Sequence, residues 1–321
     1  MPKHEVSKPY FPGYTRKSVT FTIDDGVIET DRKFISVIAP YGIRGTFNLC
    51  SDRYHGMDTA PIVEMYRGYE IANHSKFHPY LLPPEKEADI VDEPFDSESA
   101  DESKLYPHPT EDIYYMHLPK GWRLFARYET YLRLVREGYR ELEAIFGEGA
   151  VKGFVWPFYK QDSDALFEEL ISDGYTYIRG GGAALDTMGY NLPEDYMRMM
   201  YTVNNLGIKT QVPIYEAYPD DGELKIFCIG VHSKDYERDG SFDDLAYFAR
   251  TFGNQPEKYY TAGVGAILHY ASCAKALVIG EDSIENPTDT DIYLTVDGKK
   301  AVAYAKCTIC LDTLEVISRS V

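Results

Sequence analysis

Between Ser18 and Ile23 apolar and β-branched residues follow one another without a break, then stop at Asp24-Asp25-Gly26. From Thr30 to Ala39 the apolar positions change period, falling at Phe34, Val37 and Ile38, the spacing of a helix face. The same rhythm predicts a second strand at 46–49, a short helix at 61–66 and a third strand at 69–72 that runs into Asn73-His74. Further along, 151–156, 175–178 and 224–231 read as strands, 163–171 and 242–251 as helices, and 263–268 as a strand able to close a barrel. Strands alternating with helices belong to the α/β class, with parallel pairing and right-handed crossovers.

Two stretches depart from this rhythm. Residues 83–121 are rich in Asp, Glu, Ser and Pro with scattered apolar positions, and are expected to form an inserted loop or lid with a solvated acidic face. After it, 122–146 carries Phe125, Tyr128, Leu132, Val135, Tyr139, Leu142 and Ile145 on one stripe, which predicts one long amphipathic helix ended by Gly147 and Gly149. Beyond Ile284 the pattern alternates, with strands expected at 291–296 and 300–305 joined by an Asp297-Gly298 hairpin turn, and a last strand near 314–318. The division expected is a main unit over 1–280 and a small β-strand appendage over 281–321.

Length and composition narrow the function. A chain of 321 residues that is 44% hydrophobic supports one sizeable barrel with a small addition. Its net charge of −18 opposes binding to a phosphate backbone, so nucleic acid is not an expected partner; a neutral or cationic substrate is favoured. No run of eighteen apolar residues is present, so no membrane segment is expected, and the N-terminus lacks a signal-peptide pattern, which makes a cytoplasmic location the simplest reading. The five cysteines are scattered and odd in number, unlike a disulfide framework. Cys307 and Cys310 form an isolated C-x-x-C in a strand-like stretch and are read as structural.

Three strand ends carry unusual side chains. Adjacent carboxylates at Asp24 and Asp25 repel unless a cation or proton separates their roles; one can ligate a metal while the other acts as base. His74 and His78 can face the same way if 74–78 coils as a helical turn, although H-x-x-x-H alone equally describes a surface pair. His232 closes the strand at 224–231 and titrates near neutrality, as an acid for an amine leaving group must; a structural histidine is the competing reading. His4, His55, His108, His117 and His269 are taken as structural or exposed, and Gly180-Gly181-Gly182 as a flexible turn.

At these residues the chain resembles the polysaccharide deacetylases of the NodB-homology type, carbohydrate esterase family 4. Thr22-Ile23-Asp24-Asp25-Gly26 is similar to T-F-D-D-G, and His74 and His78 match H-S-x-x-H. Val155-Trp156-Pro157-Phe158 stands in the place of R-x-P-Y, and His232 in a stretch resembling L-x-H. The resemblance implies an irregular barrel of about seven β/α units and one divalent metal, usually zinc, held by Asp25, His74 and His78. It further implies Asp24 as the base, His232 as the acid, and the Phe158 backbone amide as a stabiliser of the oxyanion. The reaction implied is removal of an acetyl group from an N-acetylated sugar or polysaccharide.

Two departures leave rivals open. Val155 replaces an arginine that would orient the base, for which Arg179 at the next strand end is the expected substitute, and D-x-x-D-W is not evident. The rivals are hydrolysis of another C–N bond, in a small amide or ureide, and a carbohydrate-binding protein impaired in catalysis. The oligomeric state is not legible.

Overall fold

The computed structural model describes residues 3–159 and 163–319. Strand β1 (Lys17–Asp25) is buried at every position but Lys17, as a strand covered on both faces must be. It is followed by α1 (Ile28–Ile38), which buries Phe34 and Ile38, then β2 (Thr46–Leu49), α2 (Ala60–Met65) and β3 (Glu70–Asn73). The segment that follows holds β4 (Tyr80–Leu81), β5 (Leu105–Pro107), β6 (Ile113–Leu118) and β7 (Gly121–Ala126). The chain continues through α3 (Tyr128–Phe146), β8 (Val151–Val155), α4 (Asp164–Ser172) and β9 (Tyr177–Ala183). Next come α5 (Leu185–Met188), β10 (Met199–Tyr201), α6 (Ile208–Glu216), β11 (Lys225–His232), α7 (Ser233–Arg238) and α8 (Phe242–Phe252).

Seven of these strands form one parallel sheet in the order β10-β9-β8-β3-β2-β1-β11. The sheet curls until the residues after β10 reach β11: Val203 bridges Ile229 in parallel, Thr202 N donates to Cys228 O at 2.7 Å, and Gly230 N donates to Val203 O at 3.0 Å. The result is the irregular seven-unit barrel expected from the sequence. A short strand, β12 (Tyr260–Thr261), pairs with β1 at Ser18 and Val19, below the level where β2 joins it.

The chain then enters α9 (Val264–Lys275) and a set of short strands, β13 (Val278–Ile279), β14 (Ser283–Asn286), β15 (Ile292–Val296), β16 (Lys299–Ala303), β17 (Cys307–Cys310) and β18 (Val316–Arg319). The β15–β16 turn has Asp297 and Gly298 both at positive φ, which suits the twist of a two-residue hairpin. Ile284, Ile292, Leu294 and Ile309 share an apolar cluster with Val264, Ile267 and Leu268 of α9 and with Phe11.

Four expectations are corrected. Residues 83–121 are not a plain loop: β4–β7 make a small sheet with its own apolar core of Leu82, Leu105, Tyr114 and Phe125. The long helix begins at Tyr128, not Trp122, because residues 121–126 pair antiparallel with β6, from Leu118–Gly121 to Ile113–Ala126. Phe125 fell on the helical stripe by coincidence of spacing. The run 263–268 starts a helix, not a closing strand. A continuous apolar run does not distinguish the two, and here Glu70 decides, its buried carboxylate accepting from Gly265 N at 2.8 Å and Ala266 N at 3.0 Å. Gly180–Gly182 lie within β9 and are not a loop.

Candidate active site

Parallel strands deliver their C-terminal residues to one rim, and the sequence places its carboxylates and histidines there. Asp24 and Asp25 end β1, Asn48 lies in β2 beside Asp24 in register, and His232 ends β11 opposite Asp24. Asp25 and Gly26 both take positive φ, which turns the chain sharply out of the strand. A Cβ at Gly26 would lie 2.3 Å from the Tyr54 hydroxyl, so the tight exit requires glycine at this position.

The segment 74–78 is not a helical turn. Ser75, Phe77 and His78 have positive φ, and the two imidazoles meet because the chain doubles back on itself. Their Nε2 atoms lie 3.1 Å apart. Helix α3 fixes this loop: Asn73 Nδ2 donates to Val135 O at 2.8 Å, and Gly138 leaves room where a Cβ would approach Asn73 Oδ1 to 2.9 Å. His74 Nδ1 lies 2.8 Å from Val155 O. A carbonyl can only accept, so Nδ1 carries the proton and Nε2 presents its lone pair.

Asp25 Oδ1 is the common neighbour, 3.8 Å from His74 Nε2, 3.7 Å from His78 Nε2 and 3.9 Å from His232 Nε2. Asp25, His74 and His78 bring one ligand atom each into a single cluster. These spacings fit a divalent cation: neighbouring ligands of a tetrahedral site with bonds near 2.0–2.1 Å are roughly 3.3 Å apart. Burial lowers the pKa of both imidazoles, that of His78 to about 3, so both stand neutral, the form able to ligate a metal.

Asp24 faces another way. It is paired with Arg179, both side chains being fully buried, and Asn48 Nδ2 donates to its Oδ1 at 2.6 Å. Burial raises its pKa, but the Arg179 charge, with His74 and His232, outweighs that and holds the carboxyl below its ordinary value. Arg179 is the register partner of Val155 across β8 and β9. The guanidinium therefore reaches Asp24 from the position one strand over. At His232, burial lowers the pKa, but the Asp235 carboxylate 2.9 Å from Nδ1, with Asp24 and Asp25, leaves it raised.

The rim opens into a groove of about 980 Å³ that is also lined by Tyr80, Tyr115 and Trp122 of the β4–β7 sheet and by Phe95 from the segment between β4 and β5. Phe158 sits at its base with φ 57°, its ring stacked on Tyr80 at 3.5 Å and against His78 at 4.3 Å. The groove brings together Asp24, Asp25, His74, His78, Phe158 and His232, with Arg179 buried beneath Asp24. Cys307 and Cys310 lie in β17, outside it. Sequence reading passed over Asn48, Lys234 and Asp235. Lys234 Nζ is 2.5 Å from Asp25 Oδ2. Asp235 follows His232 by three residues and caps the start of α7 with the spacing of a capping box, though neither residue is of the type that marks such a box in sequence.

A family model described as polysaccharide deacetylase matches residues 13–178, which carry Asp24, Asp25, His74, His78 and Phe158. The chain belongs to the polysaccharide deacetylase family. Membership makes it a hydrolase of the deacetylase class. Among solved structures, a Mycobacterium smegmatis protein classed by inference as a polysaccharide deacetylase is 15% identical with a TM-score of 0.50, covering 86% of this chain and 96% of that one; it speaks to the fold. The peptidoglycan deacetylase PdaC of Bacillus subtilis is 14% identical (TM-score 0.44; 81% and 94% covered). A CE4 esterase of Streptococcus mutans is 17% identical (TM-score 0.42; 78% and 87% covered). Curated protein sequences yield no match. No helix of this deacetylase, among the described residues, is long and apolar enough to cross a membrane.

Proposed function

We propose that this deacetylase removes the acetyl group from an N-acetylated amino sugar within a glycan, using a divalent cation, zinc by its ligand set, held by Asp25, His74 and His78. The observation that carries the reading is the division of the two carboxylates, Asp25 among imidazoles and Asp24 against a guanidinium. When bound, the cation would polarise the acyl carbonyl and acidify a water. Asp24, kept ionised by Arg179, accepts the proton of the attacking water. His232, whose pKa Asp235 helps to hold above its ordinary value, gives its proton to the departing amine. Phe158 contributes its backbone amide to the developing oxyanion, and its ring with Tyr80 borders the acyl group.

The Arg179–Asp24 pair favours this reading over a protein that only binds carbohydrate, since it supplies the cation that Val155 does not. The test is acetate release from N-acetylglucosamine oligomers, with metal content measured beside it. About one divalent metal per chain is expected, with release abolished by chelation and restored by zinc; His74→Ala and His78→Ala should lose most of the metal. Full occupancy in both variants overturns the ligand set, and release untouched by chelation overturns the metal dependence.

A further inference from the structure

The groove is charged against the rest of the molecule. The chain has 33 basic and 51 acidic side chains, yet five cations and three acids line the groove. All three acids are engaged: Asp24 by Arg179, Asp25 by Lys234, and Asp235 by Arg238. The β4–β7 insertion makes the same inversion locally. It carries nine acids between Glu85 and Glu102, but none of them lines the groove, where Phe95 and Ser97 stand instead. From the β6–β7 hairpin the groove receives Lys120 and Arg123, which form no ion pair among the described residues, and Trp122 between them. Arg123 is held in place by donating to the carbonyls of Trp122 at 2.7 Å and Lys120 at 3.1 Å. Trp122 packs edge-on against Phe95 at 5.0 Å. Two cations that form no ion pair among the described residues, set beside an aromatic edge, have the chemistry to hold a sugar ring that bears a negative group.

We propose that the β6–β7 hairpin is an acidic-sugar subsite, and that the preferred glycan carries a carboxylate on a sugar unit near the acetamido unit to be cleaved. This rests on the deacetylase reading of the same groove and departs from the expectation of a neutral or cationic substrate drawn from net charge. Net charge describes the whole surface; the field inside a groove is set by the groups that line it.

Three probes test it with the metal-loaded full chain: N-acetylglucosamine oligomers alternating with a uronic acid, the same length alternating with lactyl-ether units, and the uronate oligomer after reduction of its carboxyls to alcohols. Acetate release and equilibrium binding are both read. Wild type should favour one of the acidic probes over the reduced one by about 3- to 10-fold in kcat/KM, carried by KM and shrinking as salt rises. Which acidic probe wins identifies the source of the carboxylate. Lys120→Glu and Arg123→Glu should each reduce that ratio, and Arg123→Lys should retain much of it. Because Arg123 also pins the hairpin backbone, Lys120→Glu, whose side chain makes no hydrogen bond among the described residues, is the cleaner variant. If the reduced oligomer is handled as well as the acidic ones, or if Lys120→Glu leaves the ratio unchanged, the subsite is wrong while the deacetylase reading stands. If no probe releases acetate yet the acidic ones bind tighter in a Lys120-dependent way, the subsite stands and the reaction assignment falls.

Discussion

Asp24 and Asp25 are neighbours in the chain with different surroundings, and their substitution should separate them. Asp24→Asn keeps an acceptor for Arg179 but not its counter-charge. Metal content should hold, while turnover falls by about 100- to 10,000-fold. Thermal stability should fall as well, since breaking a fully buried ion pair costs roughly 3–5 kcal/mol and the retained hydrogen bond places this case at or below the low end. Asp25→Asn should lose metal first. Near-normal turnover in metal-loaded Asp24→Asn would show that the base lies elsewhere. The pH profile gives a second contrast. With His232 as the acid, activity should decline as pH rises through the pKa of His232, which stands above its ordinary value. Asp235→Asn removes the carboxylate that raises it, and the basic limb should move to lower pH; an unmoved limb excludes His232 as the acid. The gathering of these residues at one rim was partly legible beforehand, because paired acids and histidines at strand ends are unusual residue types in recognisable places. Arg179 was legible only as a charge in the right neighbourhood, since sheet register, which puts it beside Val155, is not written in local sequence. Asn48 and Lys234 carry no local pattern at all.

At the scale of elements, the loop from Asn73 to His78 depends on a helix it does not belong to. Gly138→Ala tests this, with two effects of opposite sign. Alanine in a helix interior gains up to ~1 kcal/mol over glycine. Its Cβ would meet Asn73 Oδ1 at 2.9 Å and Lys76 N at 3.2 Å, and such overpacking costs about 1–3 kcal/mol. We expect the clash to win: a lower melting temperature and weaker metal affinity, with a rise in both showing instead that the loop yields freely. The same coupling explains what the sequence did and did not reveal. Strands buried on both faces, such as β1, and helices with one apolar stripe, such as α8, declare themselves through their period. The 121–126 strand and the 264–275 helix do not, since the first is specified by its partner β6 and the second by the Glu70 carboxylate at its start.

Over the whole molecule, the C-terminal strands are joined to the barrel by packing. Ile284, Ile292, Leu294 and Ile309 are almost wholly buried, and at roughly 1.5–3 kcal/mol for each side chain their burial is comparable to the ~5–15 kcal/mol by which a protein is stable. A chain ended at residue 280 should therefore be unfolded or aggregated, as circular dichroism and gel filtration would show; a monomeric, cooperatively melting product would make 281–321 dispensable. The small β13-β14-β17-β18 sheet begins at Val278, so both that sheet and the apolar cluster run across the boundary drawn from the change of sequence pattern. The barrel's own closure has a different character. Along one edge β1 matches β11 through eight consecutive residues, whereas among the described residues β11 meets the segment after β10 through one bridge and the hydrogen bonds of Thr202 N and Gly230 N. A ring with one weak clasp opens there first, so the amides of Thr202 and Gly230 should exchange with solvent sooner than those inside β1. Asn204, Asn205 and Leu206 follow that clasp on the rim of the groove, next to His232. Unfastening it would move this rim while the sheet beneath Asp25 and His74 stays paired, so the width of the groove is set by the weakest seam of the barrel.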